Sequence, residues 1–313
     1  MQKWIIGLVA IILISICCCY LLIPNKIFIE ENIIIQANPG SVQRGILEDK
    51  KWEKWWPGQI KSNHQHSLFS YNGFTYRVVE KKPTTLVFSI TDANFSDTAL
   101  FHFISAGQDS TLLAWEADLP TATLPIKRAQ RFLKSRQIST DLKILLEKAR
   151  TFFSNADNLY NIHIEKSLVT DSTLLFTSAL SKGFPNTEFV YILINKLKNY
   201  ASAHSAKMTG YPMLNISNKD SINFVTKVAL PVDKKLKDSG NIVYKWMLGG
   251  GNILTTEVKG GNASIVQALQ QLEQYVTDYH HVAPAISFQS LITDRIKEKD
   301  TSKWITKIYY PVM

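Results

Sequence analysis

Cysteine is nearly absent from this chain of 313 residues, and its three copies stand side by side as Cys17, Cys18 and Cys19. Everything beyond them lacks a thiol, which excludes a disulfide framework, a thiolate nucleophile and a cysteine metal site from the rest of the chain. No G-x-S-x-G nucleophile elbow occurs. The run Gly249-Gly250-Gly251 has no Lys-Ser/Thr behind it, so it reads as a hairpin turn rather than a phosphate loop. Negative charge is the scarcer sign, with 26 acidic against 35 basic residues and a formal net charge of +9. Such a surplus favours anionic partners such as a membrane surface or nucleic acid. No helix-turn-helix or zinc pattern accompanies it, so direct nucleic-acid binding is not expected. No cofactor motif is present.

Apolar residues are plentiful. Hydrophobic content is 45%, with seven tryptophans, enough for two ordinary domain cores. An unbroken apolar run of 20 residues opens at Trp4 and closes at Ile23, which spans a bilayer core as a helix. No small-x-small cleavage site follows the run, and the cysteines lack the small preceding residue of a lipoprotein signal. An uncleaved single-pass anchor over residues 1–25 is expected. Lys3 on one side and Lys26 on the other set the orientation only weakly. The expectation is an amino terminus in the cytoplasm and an extracytoplasmic remainder.

The strongest internal signal is a repeat. Residues 225–232 read VTKVALPV and residues 305–312 read ITKIYYPV, so six of eight positions match or exchange one aliphatic for another. Leu197-Lys-Asn-Tyr200 recurs as Leu272-Glu-Gln-Tyr275, and Pro212 and Pro284 follow these helical stretches. The order is the same twice: amphipathic helix, proline loop, strand ending in Pro-Val. The C-terminal half is therefore expected to be a duplicated helix-plus-strands unit with a groove at its pseudo-twofold axis.

Residues 27–155 begin with an isoleucine-rich strand, 27–36, then Asn38-Pro39-Gly40-Ser41 as turn and helix cap. Trp52-x-x-Trp55-Trp56-Pro57 follows, then several strands between 68 and 119, then a long helix from Pro125 to Phe153. Leu142, Leu145, Leu146, Ala149, Phe152 and Phe153 form its apolar face. This order resembles the START-like superfamily, in particular the polyketide-cyclase-type SRPBCC members, with Trp52, Trp55 and Pro57 carrying the W-x-x-W-x-P segment. The resemblance implies a helix-grip fold with an apolar cavity. It makes Trp55, Trp56, Tyr76 and Trp115, with Phe69, Phe88 and Phe103, candidate cavity residues; the alternative is that these rings fill the core. Lys127, Arg131 and Lys134 share one helix face. They suit either lipid headgroups, at about 1 kcal/mol each, or a solvated face. His64 and His66 have the spacing of a metal edge on a strand but no third ligand nearby, and they read as a solvated loop.

Residues 158–313 hold both copies of the repeat. Gly210-Tyr211-Pro212, the strand ending in Pro231-Val232, Leu248-Gly249-Gly250 with Val258-Lys-Gly260, and Ile308-Tyr-Tyr-Pro-Val312 are similar to the GyrI-like small-molecule-binding domain. This is also the effector-binding domain of multidrug-responsive activators. The resemblance implies a ligand site between the repeats, aromatics around the glutamate of an E-x-Y-x-x-D pattern. Here Asp294 matches, but Gln289 stands at the glutamate and Leu291 at the tyrosine. A glutamine offers a desolvated cation only a dipole, so a neutral or amphipathic ligand is expected. Tyr211, Met213, Phe224, Trp246, Phe288, Gln289 and Tyr309 are the lining candidates.

The fold class expected is α+β: a transmembrane helix, a helix-grip START-like domain and a duplicated GyrI-like domain. The function expected is that of a membrane-anchored, non-enzymatic binding protein for a small lipophilic or amphipathic molecule, through pockets in both the START-like and the GyrI-like domain. The alternatives are a cyclase or hydrolase in the START-like cavity, for which Glu80, Asp92 and Glu116 are the available carboxylates, and a ligand-responsive regulator acting through a partner.

Overall fold

The computed structural model describes residues 2–63, 66–170 and 172–313. Its chain divides into two compact units, Met1–Leu159 and Tyr160–Met313. His64 and the side chain of His66 lie outside the described residues.

Helix α1, Gln2–Leu22, is solvent-exposed along its apolar length. By length and composition it can span a bilayer or serve as a signal sequence. Its end is tied to the first unit. Arg128, buried on α4 (Pro125–Phe153), donates to the carbonyl of Ile23 and, at 2.9 Å, to Asn25 Oδ1. Its guanidinium also lies 5.2 Å from the Tyr20 ring centroid.

The first unit is an antiparallel sheet of seven strands, ordered β1-β7-β6-β5-β4-β3-β2. β1 (Lys26–Ile35) pairs along its full length with β7 (Ser110–Pro120), while β2 (Gln59–Asn63), β3 (His66–Tyr71), β4 (Phe74–Lys82), β5 (Thr85–Asp92) and β6 (Phe95–Gly107) form a meander. Register breaks at Val78/Glu80 and Ser105/Gly107 help to curl it into a half-barrel. Asn72-Gly73 turns β3 into β4 with both residues at positive φ, 46° and 86°, the geometry a two-residue hairpin requires. Two short helices, α2 (Pro39–Leu47) and α3 (Asp49–Trp52), separate β1 from β2. The Asn38 side chain caps α2 by accepting from the Gly40 and Ser41 amides. On α4 the face expected to be apolar, Leu142 to Phe153, is buried and Ile138 extends it; a short helix, α5 (Ala156–Tyr160), follows.

All seven candidate cavity residues of this unit are buried and in contact with other rings. Trp52 and Trp55 centroids lie 4.6 Å apart, Trp56 and Tyr76 5.3 Å, and Phe88 and Trp115 4.9 Å. At these positions aromatic contact fills the space in which the resemblance places an open cavity. The basic face of α4 is also altered by its surroundings. Arg131 pairs with Asp97 at 3.6 Å and Lys134 with Asp92, because the hairpin of β5 and β6 brings carboxylates over the helix.

The second unit has one eight-stranded antiparallel sheet, ordered β12-β9-β11-β10-β14-β15-β13-β8. The first copy of the repeat is β9 (Ser172–Lys182), α6 (Thr187–Ala203), β10 (Met213–Asn218) and β11 (Asn223–Val232). The second is β13 (Asn252–Lys259), α7 (Asn262–Asp278), β14 (Phe288–Leu291) and β15 (Ile305–Val312). The two repeated octapeptides thus occupy β11 and β15. The copies meet where β10 pairs with β14, Met213 opposite Ser290 and Leu214 opposite Gln289. The edges are exchanged. β12 (Val243–Met247), which leads into the second copy, extends the first at β9, while β8 (Glu165–Leu168), which precedes the first, extends the second at β13.

Both helices cover one face of this sheet. Under α6, Leu193, Ile194 and Leu197 pack on Leu175, Val228 and Leu230. Under α7, Ile265, Ala268 and Leu272 pack on Leu254, Val258 and Ile308. Strand side chains alternate, so the residues between these points emerge on the other face.

Candidate ligand-binding clefts

The face without helices carries two adjoining clefts. The larger, about 510 Å³, is floored by β9, β10 and β11 and walled by the segments around Met247 and Pro284. The smaller, about 290 Å³, lies toward Tyr211, Ser290 and Tyr309. Met213, Met247, Ile253 and Phe288 line both. The register explains why these residues converge. Met213 and Asn215 on β10, Ala229 and Lys227 opposite them on β11, and Phe288 and Ser290 on β14 all have the parity that points away from the helices.

The larger cleft is mostly apolar, with Leu174, Phe176, Trp246, Leu248 and Ile286 among its walls. Trp246 is 62% exposed and Leu248 70%, and both stand at the rim on and after the edge strand β12. Four polar side chains line the cleft: Lys227, Lys245, Asn215 and Asn252. Lys227 rises from the floor between Asn215 and Ser178, its cross-strand neighbours. Lys245 holds its ammonium 4.0 Å from the Phe176 ring centroid. Asn215 donates through Nδ2 to the Ser287 carbonyl at 2.8 Å, which leaves Oδ1 buried and without a partner. Among the described residues, no aspartate, glutamate or histidine lines either cleft. Asp171, between Thr170 and Ser172 in sequence, lies outside the described residues.

Five of the seven candidates in this unit meet at the clefts: Met213 and Phe288 in both, Trp246 in the larger, Tyr211 and Tyr309 in the smaller. Gln289 and Phe224 do not. Gln289 pairs with Leu214 and Ile308, both core residues, and borders a small recess beside Ile265 and Leu269 of α7. Phe224 shares the parity of Thr226 and Val228 and packs on Phe184 at 5.6 Å. One step along a strand reverses the face a side chain takes, so the glutamine expected at the centre of the site lies on the opposite side of the sheet. Conversely, Lys227, Lys245 and Phe176 line the larger cleft without being among the sequence candidates. For Lys227 a signal existed: it precedes Ala229 and Pro231 at alternate positions of β11, the solvent-side phase of a strand whose other phase is Val228, Leu230 and Val232.

Beyond β14, next to the half-buried Asp294, Arg295 sits in a buried polar knot. The Arg295 amide donates to Tyr191 Oη at 2.6 Å, its Nη2 donates to Thr306 Oγ1 at 2.8 Å, and its guanidinium lies 4.7 Å from the Trp304 ring centroid. Burial pushes the Tyr191 hydroxyl pKa up. These contacts tie the loop between β14 and β15 to α6 and do not enter the clefts.

No protein-family model matches the chain, and no curated protein matches it. Among solved structures, the EcmrR C-terminal domain is similar at 18% identity over 49% of this chain and 98% of that one, with a TM-score of 0.43. SAV2435 bound to tetraphenylphosphonium is similar at 13% identity over 49% of this chain and 94% of that one, with a TM-score of 0.33. A hydrolase from Listeria innocua is similar at 13% identity over 48% of this chain and 91% of that one, with a TM-score of 0.37.

Proposed function

We propose that this chain is a membrane-anchored, non-enzymatic binding protein for a small lipophilic or amphipathic molecule. In this reading residues 1–25 form the anchor, 27–155 a START-like domain and 158–313 a GyrI-like domain that receives the ligand. The observation that carries it is the larger cleft: about 510 Å³ of mostly apolar space on the helix-free face of a duplicated sheet. Ligand sites are typically clefts of about 300–1,000 Å³, apolar with a few placed polar groups. Lys227 and Lys245 are such groups. The soluble part lies outside the cytoplasm, with α1 as its tether.

The test is native mass spectrometry of the full chain released from nanodiscs, with denaturing extraction of whatever it carries. A co-purifying amphiphile that disappears in Trp246→Asp supports the reading. An empty protein, with no thermal shift across a panel of lipids and lipophilic ions, overturns it.

A further inference from the structure

We propose that the ligand of the larger cleft is an anionic amphiphile, its apolar body between Phe176, Met213 and Ile253 and its negative group held by Lys227 and Lys245. The inference rests on the binding function proposed above and adds the charge of what is bound.

The case is electrostatic. Two ammonium groups face one apolar cleft, and neither is paired with a carboxylate among the described residues. Lys245 meets only the face of Phe176, a contact that leaves its full charge available at the mouth. Lys227 stands on the floor, flanked by the neutral side chains Asn215 and Ser178. A charge next to apolar surface keeps less of its hydration, and its attraction to an opposite charge is correspondingly stronger than in bulk water. A lipophilic cation would meet two like charges in the same space. A neutral ligand would leave both ammonium groups facing apolar atoms. An anion with an apolar body satisfies the floor, the mouth and the walls together, and charge-assisted hydrogen bonds to it are among the stronger polar contacts.

Two ions of one shape and opposite charge, tetraphenylborate and tetraphenylphosphonium, separate the possibilities. Each is titrated calorimetrically into the full chain in phosphatidylcholine nanodiscs, for the wild type, Lys227→Gln, Lys245→Gln and the double variant. Partition into the lipid cancels when one ion's affinity is compared between proteins. The expected result is a loss of borate affinity of about tenfold for each lysine removed, with phosphonium affinity unchanged or raised. Lys245→Glu, at an exposed position, is expected to strengthen phosphonium binding while the protein unfolds at the wild-type urea midpoint. Borate affinity unchanged in the double variant overturns the anionic assignment while leaving the binding cleft intact. So does phosphonium weakened by the lysine removals. If neither ion binds any of the proteins, the binding function fails, and the anionic assignment with it.

Discussion

The Phe288 and Tyr309 rings lie parallel, 4.8 Å between centroids and 9° between planes, as direct cross-strand partners of β14 and β15. The stack stands where the two clefts meet, since Phe288 lines both and Tyr309 the smaller. It is a partition as well as a packing contact. Aromatic pairs of this kind contribute about 0.5–1.5 kcal/mol beyond the area they bury. Phe288→Ala is therefore expected to lower stability by about 2 kcal/mol in urea unfolding. It should also merge the clefts, so that larger ligands gain affinity relative to smaller ones. A variant with unchanged stability and unchanged size preference would remove the stack from the site.

Trp246 offers the complementary test, because it is largely exposed and holds little of the fold. Trp246→Ala is expected to weaken tetraphenylborate binding about tenfold, the loss typical of an aromatic anchor. Its unfolding free energy should stay within about 0.5 kcal/mol of the wild type. Calorimetry and urea unfolding on the same preparation separate the two effects. Loss of stability matching the loss of affinity would make Trp246 a structural residue.

What the sequence disclosed and what it withheld divide along physical lines. The repeated octapeptide and the helical spacings of Leu193 and Leu197, and of Leu272 and Val276, are local patterns, and both copies fold into the same four elements. Whether a strand residue faces the helices or the clefts depends on register, which changes with a single step. That is why Met213, Phe288 and Tyr309 line the clefts while Gln289 and Phe224 take the other face of the sheet. The exchanged edges, β12 on the first copy and β8 on the second, depend on pairings between segments far apart in sequence and leave no local trace. In the first unit, the START-like resemblance pointed to rings such as Trp55, Trp56, Tyr76 and Trp115. It could not distinguish rings that line a space from rings that fill it, because both are buried.

Gly58 tests the close approach that seats the tryptophan segment. A Cβ built at this position would lie 1.7 Å from the Ser70 carbonyl oxygen and 2.8 Å from its carbon. Both are backbone atoms of β3, so relief requires the strand to move. The Trp56 indole donates to the same Ser70 oxygen at 3.3 Å, and displacement would disturb it too. Gly58→Ala is expected to cost about 3 kcal/mol or more, read as a lowered urea midpoint with a blue- or red-shifted tryptophan emission. Gly251→Ala is the control. Its Cβ would meet only Val169 Cγ2 at 4.0 Å, and a near-wild-type midpoint is expected.

Asp141 gives the pH dependence a sign. It is buried on α4 and accepts from Asn72 Nδ2 at 2.7 Å, while its Oδ2 and the nearby Tyr76 hydroxyl are both buried without partners. Burial holds the Asp141 carboxyl above the usual carboxylate range, against the opposing effect of Asn72. The Tyr76 hydroxyl is pushed up as well, first by burial and then by the Asp141 charge. A folded-state pKa above the unfolded value means that the native state binds the proton more tightly. The associated stability is fully present below about pH 3.9, the unfolded value for aspartate, and is lost as pH rises through the folded pKa. Asp141→Asn keeps the oxygen that accepts from Asn72 and carries no charge at any pH. Its amide can also donate to the Tyr76 oxygen. The variant is therefore expected to be more stable than the wild type at pH 7, with the difference narrowing as pH falls toward 4. Urea unfolding at the two pH values measures it. A variant less stable by a margin that grows from pH 4 to pH 7 would show that the Asp141 charge is used by the fold rather than tolerated.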